Sequence, residues 1–380
     1  MMLLALALPI LTARPAQAQT YGILYNFTGG AGDGGNPYAG VTVDGAGNLY
    51  GATTGNSDGG PGAVFKLTHR NGNWTFARLY NSGSFGDLTI GPNGTLYGIN
   101  NDSAVFNLQP PPHFVPNLFA PWRETTLYPL PAGSYAGVVF DRAGNIYGTT
   151  YDGGSYGGGS VFELSPSNGG WTYTVIHSFG TGFDGNFPIA GVVVDAVGNL
   201  YGTTLSGGAY GDGTVFELSP ANGGWTESFV YSFTGGDDGG DPYGGLILDA
   251  AGNLYGATPG LYPAGHPGGS VFKLTPSGNS WTFSVLYTFP ESGDECGPRG
   301  TPAMDAAGNL YDTTYCYPEN VFKLTPVNGG WTYTSLHQFG VGHDGEYPEA
   351  GVTLDANGNI YGTTTYGGAY NNGIVFEITP

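Results

Sequence analysis

Apolar and polar positions alternate with a period of two through much of the chain, in short stretches separated by Gly, Pro, Asn and Asp. Residues 192–233 show the pattern best. Val192-Val193-Val194-Asp195 is a short apolar run, and Ala196-Val197-Gly198-Asn199 is a turn, because Gly and Asn tolerate positive φ. Leu200-Tyr201-Gly202-Thr203-Thr204 is a second strand. A Gly-rich loop from Ser206 to Gly213 leads to a third strand, Thr214 to Leu218. Pro220 to Gly224 turns the chain again, and Trp225 to Phe233 alternates as a fourth strand. No stretch carries a helical period, and Gly and Pro interrupt at short intervals.

This unit recurs. Its second strand is marked by Tyr50, Tyr97, Tyr147, Tyr201, Tyr255, Tyr311 and Tyr361, spaced by 47 to 56 residues. A Val-Phe pair follows in phase, from Val64-Phe65 to Val375-Phe376. All six tryptophans (Trp74, Trp122, Trp171, Trp225, Trp281 and Trp331) fall at one repeat position. Four antiparallel strands in about 50 residues make one propeller blade, so the sequence predicts an all-β, seven-bladed β-propeller. A β-solenoid is the alternative, but its coils are usually much shorter. The chain stops at Pro380, after the third strand of the seventh repeat. The segment Tyr21 to Phe27 resembles the missing fourth strand, so the N-terminal strand is expected to close the ring in the last blade.

Composition agrees with a turn-rich β fold. There are 71 Gly, yet aromatics reach 14%, which argues against the aromatic-poor composition of disorder. The net charge of −20 disfavours nucleic acid and anionic lipid as partners. Met1 to Leu11 is apolar and precedes Ala16-Gln17-Ala18, an A-x-A cleavage pattern. A signal peptide over 1–18 and a single propeller domain over 19–380 are therefore expected, with a secreted or periplasmic location and no membrane insertion. A monomer is expected.

The units F-x-G-x-x-D-G-x-x-P-x-A-G, D-x-x-G-N-L-Y-G-T-T and G-x-V-F-x-L-x-P resemble the GloVer tandem-repeat family of exported bacterial proteins. Repeats four, five and seven match best, whereas repeats two and three lack the D-G-x-x-P loop. The resemblance implies an exported, in some members surface-anchored, protein with no established activity. The D-x-x-G-N-L-Y hairpin is also similar to blades of NHL and gluconolactonase-like propellers, a likeness of fold only.

Antiparallel order puts the short turns on one face and the long loops on the other. Loop one joins blades and carries Asp-x-x-x-Pro, and loop two is Gly-rich. Cys296 in loop one and Cys316 in loop two of the same blade are expected to form a disulfide after export. Asp33, Asp184, Asp238 and Asp344 of loop one have two readings. They are candidate Ca²⁺ ligands, since hard cations take oxygen donors, or they cap their own turns. Tyr38, Tyr243 and Tyr347 flank the loop-one proline, and Tyr156, Tyr210 and Tyr370 occupy loop two. Together these six are candidates for a sugar-binding face, with loop packing as the alternative. His177 and His337 replace the usual tyrosine of a fourth strand and read as structural substitutions. Asp312 replaces the Gly that otherwise follows the repeat tyrosine. The proline-rich segment 110–121 has no assigned role beyond contact with another protein.

The expected function is a non-enzymatic binding or structural module, with an extracellular glycan or protein as partner and no required cofactor. The alternative is an extracellular enzyme, a polysaccharide lyase or hydrolase or a lactonase, with a metal in the central channel. An unlike cluster of acids and His at the channel mouth would favour the enzyme, and a mouth of repeated Gly, Thr and apolar residues would favour binding.

Overall fold

The structure is a computed structural model that describes residues 19–55, 60–111, 121–260, 269–290, 297–315, 318–340 and 343–380. The expected signal segment 1–18, Cys296, Cys316 and most of segment 110–121 lie outside the described residues. Seven four-stranded antiparallel sheets form the blades of a β-propeller. Blade 4 is typical, with strands Val193–Val194, Leu200–Thr204, Thr214–Ala221 and Gly224–Ser232 from the axis outward. The seventh blade is built from three C-terminal strands and the strand Thr20–Asn26, which pairs with Ile374–Thr379.

Period two explains why one blade has two buried faces. In the Val-Phe pair, Val215 and Phe216 point to opposite sides of their strand, and both are buried. Val215 joins Tyr201 and Phe233 against Leu246, Leu254, Phe272 and Leu274 of blade 5. Phe216 instead packs with Tyr147, Val161 and Phe179 of blade 3. Each blade is therefore the glue between its two neighbours. Burying one such Phe is worth about 1.5–3 kcal/mol.

Steric fit explains the Gly after the repeat tyrosine. A Cβ on Gly202 would come within 2.5 Å of the Phe216 ring, and the equivalent atom on Gly362 within 2.4 Å of Phe376. The short turns are fixed by Asp. Oδ1 of Asp249 accepts the amides of Ala251 and Asn253, while Oδ2 accepts Asn253 Nδ2 and Tyr255 Oη. Burial alone would raise the Asp249 pKa, but these donors outweigh it and hold it below its ordinary value.

At the axis the backbones nearly touch. A Cβ on Gly244 would lie 2.0 Å from the carbonyl oxygen of Gly300, and one on Gly300 2.1 Å from the amide of Gly351. Threonine hydroxyls tie the inner ring together, Thr149 to the Ala190 carbonyl and Thr203 to that of Gly244. This tight ring fixes where the first residue of each inner segment points.

Candidate functional site

The loop-one segments descend to the axis as x-small-small, except that Asp87 takes the third place in blade 2, and the residue at x rims a cavity of about 680 Å³. Around the ring these residues are Tyr38, Phe85, Tyr135, Ile189, Tyr243, Arg299 and Glu349. The small residues that follow, such as Ala39, Gly86, Ala190 and Gly300, line the wall. Seven copies of one scaffold thus present different chemistry at one place.

The mouth has two halves. Over blades 1–4 the rings form an arc of contacts. Tyr38 meets Phe85 edge-on with centroids 5.7 Å apart, Phe85 meets Tyr135 at 5.3 Å, and Tyr135 meets Tyr151 at 5.4 Å. Tyr151 then stacks on Phe187 at 5.1 Å. Such edge-to-face pairs suit the ring quadrupoles and hold each other in place.

Over blades 5–7 the arc becomes ionic. Arg299 Nη1 lies 3.4 Å from Glu349 Oε2, and both side chains are largely buried. The guanidinium also lies 3.6 Å from the Tyr315 ring centroid and 4.7 Å from that of Tyr243. Burial raises the Glu349 pKa, while Arg299 and the Tyr315 hydroxyl oppose the rise. Tyr347 backs this half, with its centroid 5.5 Å from that of Tyr315.

Two further carboxyls belong to this region. Asp87 faces the lumen and accepts the Gly40 amide at 2.9 Å. It is open to solvent within the channel yet enclosed by protein, and this enclosure raises its pKa against the pull of the Gly40 amide. Asp312 lies behind the wall, since a Cβ on Gly300 would be 2.5 Å from its Oδ1. Its side chain is buried, Oδ1 accepts the Thr313 amide, and Oδ2 has no partner among the described residues. Burial pushes its pKa up to about 8.

Of the six candidate tyrosines, Tyr38 and Tyr243 line the mouth and Tyr347 packs behind Tyr315. Tyr156, Tyr210 and Tyr370 are exposed on loop two and are not among the cavity-lining residues. The four loop-one aspartates stand at different blade junctions and do not come together. Asp33 accepts the Thr28 amide and hydroxyl and the Tyr25 hydroxyl, and Asp238 does the same with Thr234 and Tyr231. Asp344 sits 3.1 Å from His337 Nε2 and accepts the Gly340 amide. Only Asp184 joins a group of three potential ligands among the described residues, with His177 and Glu227. No helix among the described residues is long and apolar enough to cross a membrane.

Sequence reading missed Phe85, Tyr135, Arg299, Glu349 and Asp87. For Glu349 the signal was the x of P-x-A-G, and for Arg299 the residue after the loop-one proline, whereas Phe85, Tyr135 and Asp87 lie in repeats that lack that proline and carried no such signal.

The model of the Gloeobacter/Verrucomicrobia repeat matches residues 100–320 and 265–380. No curated protein is similar to the chain in sequence. Among solved structures, the extracellular domain of BT3049, from a hybrid two-component system of B. thetaiotaomicron, superimposes with a TM-score of 0.55 at 15% identity. That match covers 95% of this chain and 41% of that one, so this chain spans less than half its length. The polysaccharide lyase Uly1 is similar at a TM-score of 0.47 and 10% identity, covering 97% of this chain and 94% of that one. The gluconolactonase XC5397 from Xanthomonas campestris is similar at 0.44 and 15%, covering 85% and 95%. At these identities the likeness concerns the fold.

Proposed function

The chain belongs to the Gloeobacter/Verrucomicrobia repeat family, and from that premise we propose that it is an exported, non-enzymatic module that binds a glycan at the axial mouth of the propeller. The observation that carries this reading is the ring of unlike residues at one repeat position, rich in aromatics and completed by the Arg299–Glu349 pair. Aromatic rings cover the apolar faces of a sugar. The ion pair supplies donors and acceptors for its hydroxyls, in the usual design of an apolar pocket with a few placed polar groups. The cavity has room for one or two sugar residues, within the usual range of ligand pockets of about 300–1,000 Å³.

Charge narrows the ligand. The only basic side chain lining the cavity among the described residues is Arg299, which Glu349 already balances, and Asp87 adds a carboxyl. A neutral glycan fits this balance better than a polyuronate.

One observation favours the enzymatic reading, the Asp87 carboxyl facing the lumen with a raised pKa, as a general acid requires. A glycan array followed by calorimetry on the wild type and on Tyr243→Ala and Asp87→Asn tests both readings. Binding that Tyr243→Ala weakens and Asp87→Asn preserves, with the glycan recovered intact, supports the binding module. Cleavage of the bound glycan that Asp87→Asn abolishes transfers the assignment to the enzyme. Absence of binding to any glycan overturns the proposal.

A further inference from the structure

Each seam between neighbouring blades carries one side-chain pair on the outer strands. Five seams stack two rings there. They are Tyr25 on Phe76, Tyr128 on Tyr173, Tyr231 on Phe283, Tyr287 on Tyr333 and Tyr21 on His337, with centroids 3.6–5.0 Å apart. At a sixth, the Tyr80 hydroxyl donates to Glu124. The seam between blades 3 and 4 does neither. There His177 replaces the tyrosine, Glu227 replaces the facing ring, and Asp184 enters from loop one.

We propose that His177, Asp184 and Glu227 form a site for a divalent transition-metal ion of the Zn²⁺ type that bridges blades 3 and 4. The ligand atoms already converge. His177 Nε2 lies 3.5 Å from Asp184 Oδ2 and 3.8 Å from Glu227 Oε1, and all three atoms lie within 4.8 Å of one another. Tetrahedral Zn²⁺ with bonds of about 2.1 Å holds its ligands about 3.4 Å apart, so modest side-chain shifts close the site. The spacing is too long for good hydrogen bonds and suits an ion between the groups.

Satisfaction points the same way. His177 Nε2 and Glu227 Oε1 are both shielded from solvent, and neither has a hydrogen-bond partner among the described residues. Two such atoms facing each other are costly unless something positive sits between them. Asp184 is positioned independently by the Thr181 amide and hydroxyl, the outer support that metal ligands normally have. The side chains retain 18%, 9% and 25% of their accessibility, which leaves a water-facing coordination position.

The donor set selects the metal. One imidazole with two carboxylates suits Zn²⁺ and its neighbours, whereas Ca²⁺ needs six to eight oxygens. The seam between blades 6 and 7 is the internal control. His337 and Asp344 repeat the His–Asp pair at 3.1 Å, but Tyr21 stacks on the imidazole where Glu227 would stand.

The test is calorimetric titration of tag-free, EDTA-treated protein with ZnCl₂ at neutral pH, with the thermal midpoint as a second readout. The variants are Glu227→Gln, His177→Tyr and His337→Tyr, with far-UV circular dichroism to verify folding. His177→Tyr installs the residue that five other seams carry. We expect stoichiometric binding and a raised midpoint in the wild type and in His337→Tyr. Binding should be lost in His177→Tyr and weakened by at least about 10-fold in Glu227→Gln, since removing a ligand costs no less than removing a ligand's outer partner. If His177→Tyr does not fold, Glu227→Gln decides alone. Absence of binding by the wild type overturns the site, as does unchanged binding in Glu227→Gln.

Discussion

The outer seams and the axial mouth arise from the same seven repeats, yet they vary in opposite ways. Along the seams, five of seven junctions repeat one solution, a stacked ring pair. At the mouth, the equivalent position carries Tyr, Phe, Tyr, Ile, Tyr, Arg and Glu. The seam position is half-buried between two blades, and each substitution must satisfy both at once, so departures need a compensating partner. The mouth position is the first residue after the loop-one turn and lines the cavity, where a side chain meets its ring neighbours on one side and open volume on the other, so several residue types fit. Uniformity marks where the fold carries the load, and variety marks where recognition has room.

The comparison predicts that changes between blades cost stability, while changes at the mouth cost binding. The largest effect is expected for Phe216→Ala, which opens a cavity between blades 3 and 4. It should lose about 3–5 kcal/mol in denaturant unfolding, with glycan affinity of the folded fraction unchanged. Equal affinity losses in this variant and Tyr243→Ala would break the comparison.

Asp312 sharpens it, because it is a buried group beside the mouth. Its folded pKa of about 8 lies above its unfolded value of about 3.9, so the folded state holds the proton more tightly. Stability therefore declines as pH rises from about 4 to 8, by an amount on the order of a few kcal/mol. Asp312→Asn should flatten that decline, measured as the difference in thermal midpoint between pH 5 and pH 9. An unchanged difference would show that the carboxyl does not contribute.

Tyr243→Ala is expected to weaken glycan binding by about 1–2 kcal/mol, for loss of one ring face and of the Arg299 stack, with the midpoint little changed. The smallest effect belongs to the short turns. Their aspartates, such as Asp249 and Asp305, have pKa values held down by Asn and backbone donors. Their stabilisation is present above the unfolded pKa of about 3.9 and is lost as pH falls through the lower folded value. Asp249→Asn should lower the midpoint slightly at pH 6 and have less effect near pH 3.

The two regions also differ in how far the sequence revealed them. Blade number follows from Tyr50 to Tyr361 and the Val-Phe pairs, because each marker fills a place that packing fixes seven times. The loop aspartates Asp33 and Asp238 were legible as turn residues, since Asp before Gly makes local bonds within a few residues. The candidate site was legible in part. Tyr38 and Tyr243 stood out as aromatics next to proline, but nothing in the sequence singled out Arg299 and Glu349 as partners, since their pairing needs the closed ring.

The sequence by itself determined the strand unit, its sevenfold repetition, the alternation of buried faces and the place of Gly beside the repeat Phe. All of these rest on contacts within one blade or on a pattern that recurs in every blade. Only the tertiary structure decided which residues meet across the ring: Arg299 with Glu349 fifty residues on, and His177 with Glu227 across the seam between blades 3 and 4. Closing a ring brings equivalent positions of different repeats together at the axis and at each seam. Such meetings depend on radial geometry, and periodicity along the chain does not encode them.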